Sequence, residues 1–294
     1  MVNPELIFKV AKSTERKIGI GVGSSEENVE SSVTIANASK YGVTTIFDDA
    51  EELVTALKRG EIDAAVRGTL DSKEAMSAVK DAFGLDHVLR VALMQPRGGS
   101  IFFLAPVGVD EGWTVDQKVE IMQLGARMIR KMGVAPTIGI LSGGRVSDKG
   151  RSPQVDRSIE DAEEVARIGN AQGLDVVHSE ILIEEALKNR NFLIAPDGIS
   201  GNLIFRTMHL VDGGRSMGAP IVNLDKVFID TSRAKVSFVD SIALASALLG
   251  DPSVARGHPG GHPGGHPGAQ SSGHPGGHPP SKKRIIGKEG IENG

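Results

Sequence analysis

The stretch TIGILSGGRVSDKGRSPQVDRSIEDAEEVARIGNAQGLDVVH, residues 137–178, reads as a strand, a glycine-rich loop, a helix and a second strand. Residues 137–141 form a short apolar run, residues 155–172 a longer amphipathic one, and 175–178 (DVVH) read as a short strand centred on two valines. A short apolar run bounded by glycine suits a buried strand, whereas an amphipathic stretch of this length suits a helix. The same alternation extends in both directions. Towards the N-terminus, strands are expected at 17–22, 43–47, 62–66, 88–94 and 101–104, with helices at 26–39, 51–58, 72–83 and 115–132. Residues 95–100 (QPRGGS) turn the chain between two of those strands, and the helix over 115–132 carries Val119, Met122, Ala126 and Ile129 on one side. Towards the C-terminus, strands are expected at 192–195, 220–222 and 227–229, and helices at 183–188, 201–211 and 239–249. Strands that alternate with helices predict an α/β fold of three layers, a mostly parallel sheet with helices on both faces. Right-handed crossovers then place ligand loops at the carboxyl ends of the strands.

Composition agrees with a core buried on both faces of a sheet. Hydrophobic residues make up 39% of the 294 residues and aromatic ones only 4%, so the core is built from Ile, Val, Leu and Ala. There is no cysteine, which excludes disulfides, thiolate metal sites and cysteine nucleophiles. The N-terminus has no long apolar stretch and no run approaches a bilayer span, so neither a secretory signal nor a membrane partner is expected. A formal charge of −4 offers no basic footprint for nucleic acid. The expectation is a cytoplasmic protein. Residues 1–250 form its α/β domain, with two lobes around a cleft and a boundary near 110–140.

After Asp251 the composition changes to repeated Gly-His-Pro-Gly units. Gly and Pro at this density build neither helix nor sheet, so residues 251–294 are expected to be a disordered tail. His258, His262 and His266 recur there every four residues, and His274 and His278 follow with the same spacing. Two readings stand: a solvated linker, or a loose collector of divalent nickel or zinc, which imidazole suits.

Four loops are candidates for chemistry. Residues 141–151 (LSGGRVSDKGR) combine Ser142, Gly143 and Gly144 with the cations Arg145 and Lys149, ahead of a helix. Open backbone N–H groups, hydroxyls and a helix N-terminus together suit a phosphate. A solvated basic loop is the plain alternative. Residues 195–207 (APDGISGNLIFRT) crowd Asp197 and Asn202 around two glycines, either as a ligand turn or as a helix cap. Residues 230–240 (DTSRAKVSFVD) offer Ser232, Arg233 and Asp240 as anion ligands and base, or as a capped connection. Arg67 ends a strand in residues 65–72 (AVRGTLDS), where a ligand loop and a helix cap are again alternatives.

Taken in order, these motifs resemble the phosphate acetyl/butyryl transferase superfamily over about residues 59–249. GEIDAAVRGT is similar to a strand and loop of that superfamily, and IFFLAPVGVDEGWTVDQKVEIMQLGA to the segment leading into its long helix. PTIGILSGGRVSDKG resembles its serine-rich loop, APDGISGN its Gly-Asn turn, and VNLDKVFIDTSRA its closing Ser-Arg motif. Within that superfamily the chain looks most like the methanogen marker family named as a methyltransferase-related subunit X. The resemblance implies a phosphotransacetylase or isopropylmalate-dehydrogenase-like fold and a homodimer. It also implies transfer of an acyl group between a coenzyme A-type thiol and phosphate, or a near relative of that reaction. Ser232 and Arg233 match the superfamily's Ser-Arg pair, and Asp240 falls one residue beyond the place of its base. Ser232 would stabilise the charged intermediate, Arg233 with Arg145 or Lys149 would hold the phosphate, and Asp240 would deprotonate the thiol. Ala234 replaces the glycine after Ser-Arg, and Pro106-Val107 replaces an Asp-Cys pair. Two further functions stay open: a methyltransferase-related component of methanogenic metabolism binding a phosphorylated cofactor, and a non-catalytic binding protein on the same fold.

Overall fold

The computed structural model describes residues 4–251 and 284–285. In chain order the first elements are α1 (Pro4–Ala11), β1 (Ser13–Gly21), α2 (Glu26–Ala38), β2 (Tyr41–Phe47), α3 (Ala50–Arg59), β3 (Ala64–Val66) and α4 (Ser72–Phe83). Next come β4 (Ala92–Gln95), β5 (Phe102–Ala105), α5 (Val115–Lys131), β6 (Thr137–Leu141), α6 (Pro153–Ala171), β7 (Asp175–Glu180), α7 (Ile183–Asn189) and β8 (Phe192–Ile194). The last are α8 (Gly198–Arg206), a π-turn (Thr207–Val211), β9 (Arg215–Pro220), β10 (Val227–Asp230), α9 (Val239–Leu248) and the short β11 (Arg284–Ile285). Apart from β11, which pairs with β2, the expected tail and its histidines lie outside the described residues.

All strands join one sheet in the order β11-β2-β1-β3-β10-β9-β4-β5-β8-β6-β7. Strands β2, β1, β3 and β10 run parallel, and so do β5, β8, β6 and β7. Between them every step, from β10 to β9 to β4 to β5, is antiparallel. The two parallel halves therefore run in opposite directions. Asp230 is level with Ala219 and Leu104 with Ala92, while the Val91 N–H donates to the Pro220 carbonyl at 3.1 Å. The carboxyl ends of β10 and β5 thus arrive at the same level of the central pair from opposite sides. An α/β sheet opens a crevice where its strand order switches in this way. Residues 110–140, where the sequence suggested a lobe boundary, lie within the second half, around α5 between β5 and β6.

Helices cover both faces, as the strands' two-sided burial demands. In the first half Ile18 and Ile20 pack with Val29, Val33 and Ile242, whereas Ala65 and Phe228 on the other face meet Leu53, Leu57 and Val79. In the second half Phe103 and Phe192 face Ile121, Met122 and Val165, with their rings edge to face at 6.4 Å, whereas Leu104 and Leu193 meet Ala186. The alternation of neighbours along each strand is the period of two of a pleated strand.

Several elements differ from the expectation: β1 begins at Ser13 rather than 17 and β4 at Ala92 rather than 88, and three further differences have a local cause. Helix α1 was not foreseen; it buries Ile7 and Ala11 in the same core as Ile242 and Leu244 of α9. Strand β9 covers Arg215–Pro220 rather than 220–222, because RSMGAP, although buried, carries no apolar alternation. Helix α8 begins at Gly198, three residues before the expected start, because Asp197 caps it by accepting the Ser200 N–H at 2.8 Å.

Candidate functional site

Arg67 and Asp230 each follow or end a strand, and because Val66 pairs with Ile229 they come out side by side. The Arg67 Nε donates to Asp230 Oδ1 at 2.5 Å, and its other nitrogens reach the Leu70 and Thr231 carbonyls. Arg90, just ahead of β4 in the central pair, reaches the same carboxylate, with Nη1 at 2.7 Å from Asp230 Oδ2. Its Nε donates to Glu111 at 2.5 Å. Arg67, Asp230, Arg90 and Glu111 are all buried, so an ion network joins the two halves of the sheet at the level where their strands end. Burial pushes the Asp230 carboxyl up, but two guanidiniums outweigh it and hold the group below the ordinary carboxylate range. Glu111 has only Arg90, and there burial wins and the carboxyl is raised. Burial alone would lower the Arg90 guanidinium; its two carboxylates raise it instead. A network of this kind tolerates replacement as a whole far better than loss of one member.

Above this floor lies a cleft of ≈ 780 Å³. Arg67, Arg90 and Lys235 are its buried cations. Lys73 and Lys80 of α4, Arg206 of α8 and Arg233 are its outer cations. Two carboxylates line it, Asp230 and Asp110, and both are paired with Arg90, at 2.7 and 3.4 Å. Lys73, Met76, Ser77 and Lys80 share one face of α4 by their spacing of three, four and seven. Asp71 orients that helix by accepting the Lys73 and Glu74 N–H groups, at 2.8 and 3.2 Å, which lower its carboxyl. Its other oxygen takes Arg233 at 3.1 Å. Lys73, Lys80 and Arg206 form no ion pair among the described residues. Clefts lined by one sign of charge concentrate ligands of the other.

Of the residues proposed from sequence, the cleft gathers Arg67, Asn202, Ser232 and Arg233. The loop 141–151 is elsewhere, beyond β6, two strands further along the sheet from β5. Most of its groups are engaged, by one another or by α6 and β7, although the Arg145 guanidinium forms no ion pair among the described residues. The Ser142 hydroxyl donates to the Gly144 carbonyl at 2.8 Å and lies 2.8 Å from His178 Nε2. The Gly143 N–H goes to Ser158, the Arg145 N–H to Asp148, and Lys149 to Glu163. Burial lowers His178, against the pull of Glu163 and Glu180. Asp240 does not line the cleft either; it opens α9 and takes both arms of Arg215 at 2.6 Å. Asp197 is a cap. Gly198 and Gly201 are there because a Cβ on either would run into the Gly108 and Pro106 carbonyls, so α8 lies hard against the loop after β5. Asn202 locks that contact by donating to the Val107 carbonyl at 2.8 Å.

Sequence reasoning passed over Arg90, Glu111, Asp230, Lys235 and the basic face of α4. One signal was present: an arginine inside the apolar run VLRVALM has to find a buried acid. Among the described residues no group of His, Cys, Asp and Glu is arranged to hold a metal. No described helix is long and apolar enough to cross a membrane.

No family model matches the chain. It is 47% identical over 201 residues to a "Putative methyltransferase mtx subunit X" of Methanosarcina acetivorans, which covers 68% of this chain and 72% of that protein. An "Uncharacterized methyltransferase" of Methanopyrus kandleri is 39% identical over 209 residues, 69% of this chain and 81% of its own length. Among solved structures, a branched-chain phosphotransacylase from Enterococcus faecalis superposes with a TM-score of 0.66 at 17% identity, over 80% of this chain and 99% of that one. A phosphotransacetylase from Streptococcus pyogenes gives 0.61 at 17% identity, over 88% of this chain and all of that one, 100%. At that identity the likeness concerns the fold.

Proposed function

The chain belongs to the family of the mtx subunit X proteins, and from that premise we propose that it is a transferase whose cleft holds the phosphate of a phosphorylated substrate or cofactor. The observation that carries this reading is the charge of the cleft. Seven cationic side chains line it, and its two carboxylates are already paired. Ser232 and Arg233 follow β10 and line the same cleft as Lys73, Lys80 and Arg206, a set suited to an oxyanion.

Acyl transfer is the reaction that the phosphotransacylase fold favours. A phosphate oxygen held by Arg233 attacks the carbonyl carbon of an acyl thioester. The carbon–oxygen bond forms, Ser232 donates to the carbonyl oxygen as it becomes charged, and the carbon–sulfur bond breaks to release a thiolate. In this direction the nucleophile is already an anion and no carboxylate base is required. That suits a cleft whose acids are engaged and from whose lining Asp240 is missing. The test is turnover. Acetyl-coenzyme A and inorganic phosphate are incubated with the protein, and free thiol is followed. Release that falls at least tenfold in Arg233→Ala and in Ser232→Ala supports acyl transfer; no release above the protein-free rate rejects it.

Methyl transfer is the second reading, favoured by the names of the relatives and by the same lack of a free base in the cleft. It predicts phosphate-dependent binding without thiol release from an acyl thioester.

A further inference from the structure

Lys235 stands apart from the other cations of the cleft. It is only 8% exposed, yet it lines the cleft two residues beyond Arg233. Its Nζ donates to the Ser216 carbonyl at 2.6 Å and to the Ser241 hydroxyl at 3.0 Å. Both are neutral acceptors, and Lys235 forms no ion pair among the described residues. Two charged groups act on it from neighbouring elements. Asp240 on α9 favours the ammonium and Arg215 on β9 opposes it, and these two are bound to each other through paired 2.6 Å bonds. Tyr41 on β2 faces the same pair, with burial raising its phenol. The protein therefore holds a buried amine with hydrogen bonds and no counter-ion of its own. A buried charge without a partner is costly, so the group either sheds its proton or finds an anion. Burial pushes the Lys235 amine down to about 8, within reach of neutral solution.

We propose that Lys235 is a proton-coupled anion site, whose amine takes up a proton as an oxyanion enters the cleft beside Ser232 and Arg233 and supplies the buried charge that the oxyanion pairs with. This rests on the reading of the cleft as an oxyanion site, and it adds a specificity element to it. Below the amine's own range the charge is present before the ligand arrives. Above it, binding has to bring a proton in, so affinity falls as pH rises. An anion that cannot reach the cleft wall, held only by the outer cations Lys73, Lys80 and Arg206, would draw no proton.

Sulfate is the probe, because it has no proton of its own to exchange near neutrality. Its binding to the full chain is measured by titration calorimetry at about pH 7, 8 and 9, in buffers of different ionisation enthalpy. The expected result is uptake of more than half a proton per sulfate at about pH 9, and an affinity roughly fivefold weaker at pH 9 than at pH 8, for an amine near 8. Lys235→Arg carries a fixed charge and should keep the affinity while abolishing the proton uptake. Lys235→Met should lose affinity about tenfold at pH 7 and show no slope. If either variant fails to fold, the wild-type proton count decides. Sulfate binding without proton uptake, or an unchanged pH slope in Lys235→Met, overturns the role of Lys235 and leaves the oxyanion cleft standing. No sulfate binding by the wild-type chain overturns both.

Discussion

Two loops of this protein carry nearly the same chemistry and end differently. Residues 141–151, after β6, offer serines, glycines, Arg145 and Lys149; residues 231–235, after β10, offer Thr231, Ser232, Arg233 and Lys235. In the first, Lys149 is held by Glu163, Arg151 by Asp148, and Ser142 by Gly144 and His178. In the second, Arg233 shares the exposed rim with Asp71 at 3.1 Å, Lys235 has no acid, and three cations that form no ion pair among the described residues line the same cleft. Residue types that suit an anion are therefore not enough. What separates the loops is where the fold puts them: the first lies by itself beyond β6, with Lys149 and Arg151 tied to acids, whereas the second opens onto a cleft that seven cations line. The first is largely a tied surface turn, although the Arg145 guanidinium forms no ion pair among the described residues; in the second, positive charge is left for a ligand.

The largest effect should come from beneath the second loop. Asp230→Ala leaves Arg67 and Arg90 buried and facing each other without their shared acid. A loss of about 3–5 kcal/mol in unfolding free energy is expected, read from denaturant midpoints. Arg151→Ala, which breaks the exposed pair with Asp148 in the first loop, should cost below about 1 kcal/mol. Comparable losses would mean that the buried network is not what holds the cleft floor. A middle-sized effect separates the loops by function. Arg233→Ala should weaken sulfate binding about tenfold, roughly 1.4 kcal/mol, whereas Lys149→Ala should change it less than about twofold. Equal losses would place the anion site in the wrong loop. The smallest effect concerns Asp240. Its pair with Arg215 is partly exposed, at 20% and 41%, so Asp240→Asn should cost no more than about 1 kcal/mol. Sulfate binding at about pH 6, where the Lys235 amine is charged with or without Asp240, should stay within about twofold of wild type; a tenfold loss there would return Asp240 to the site.

Much of the fold was legible along the chain. Ser72–Phe83 and Thr137–Leu141 fall where the periodicity puts them, and the turn at 95–100 does join an antiparallel pair. β9 was misplaced because its burial comes from lying between β10 and β4, which no local pattern in RSMGAP announces. The site was less legible. Ser232, Arg233, Arg67 and Asn202 were found because they sit at strand ends or helix starts, and strand ends are where α/β folds place ligands. Arg90 and Glu111 were missed because each is meaningful only beside the other, and Asp230 only beside two arginines from 67 and 90.

By itself the sequence determined the layers, most of the elements and the family, because hydrophobic period, caps and glycine turns act over a few residues and can be read in order. Only the tertiary structure decided which loops share a cleft. The two parallel halves run in opposite directions and end at one level of the central pair, so 67–73, 107–110 and 230–235 meet while 141–151 is carried off beyond β6. It also decided which cations are neutralised. A salt bridge depends on distances between residues far apart in the chain, and Arg67 finds Asp230 across 163 positions. That is why an anion cradle that looks complete in sequence is mostly tied up by its neighbours, and why the lysine just past the Ser-Arg motif is left buried without an acid.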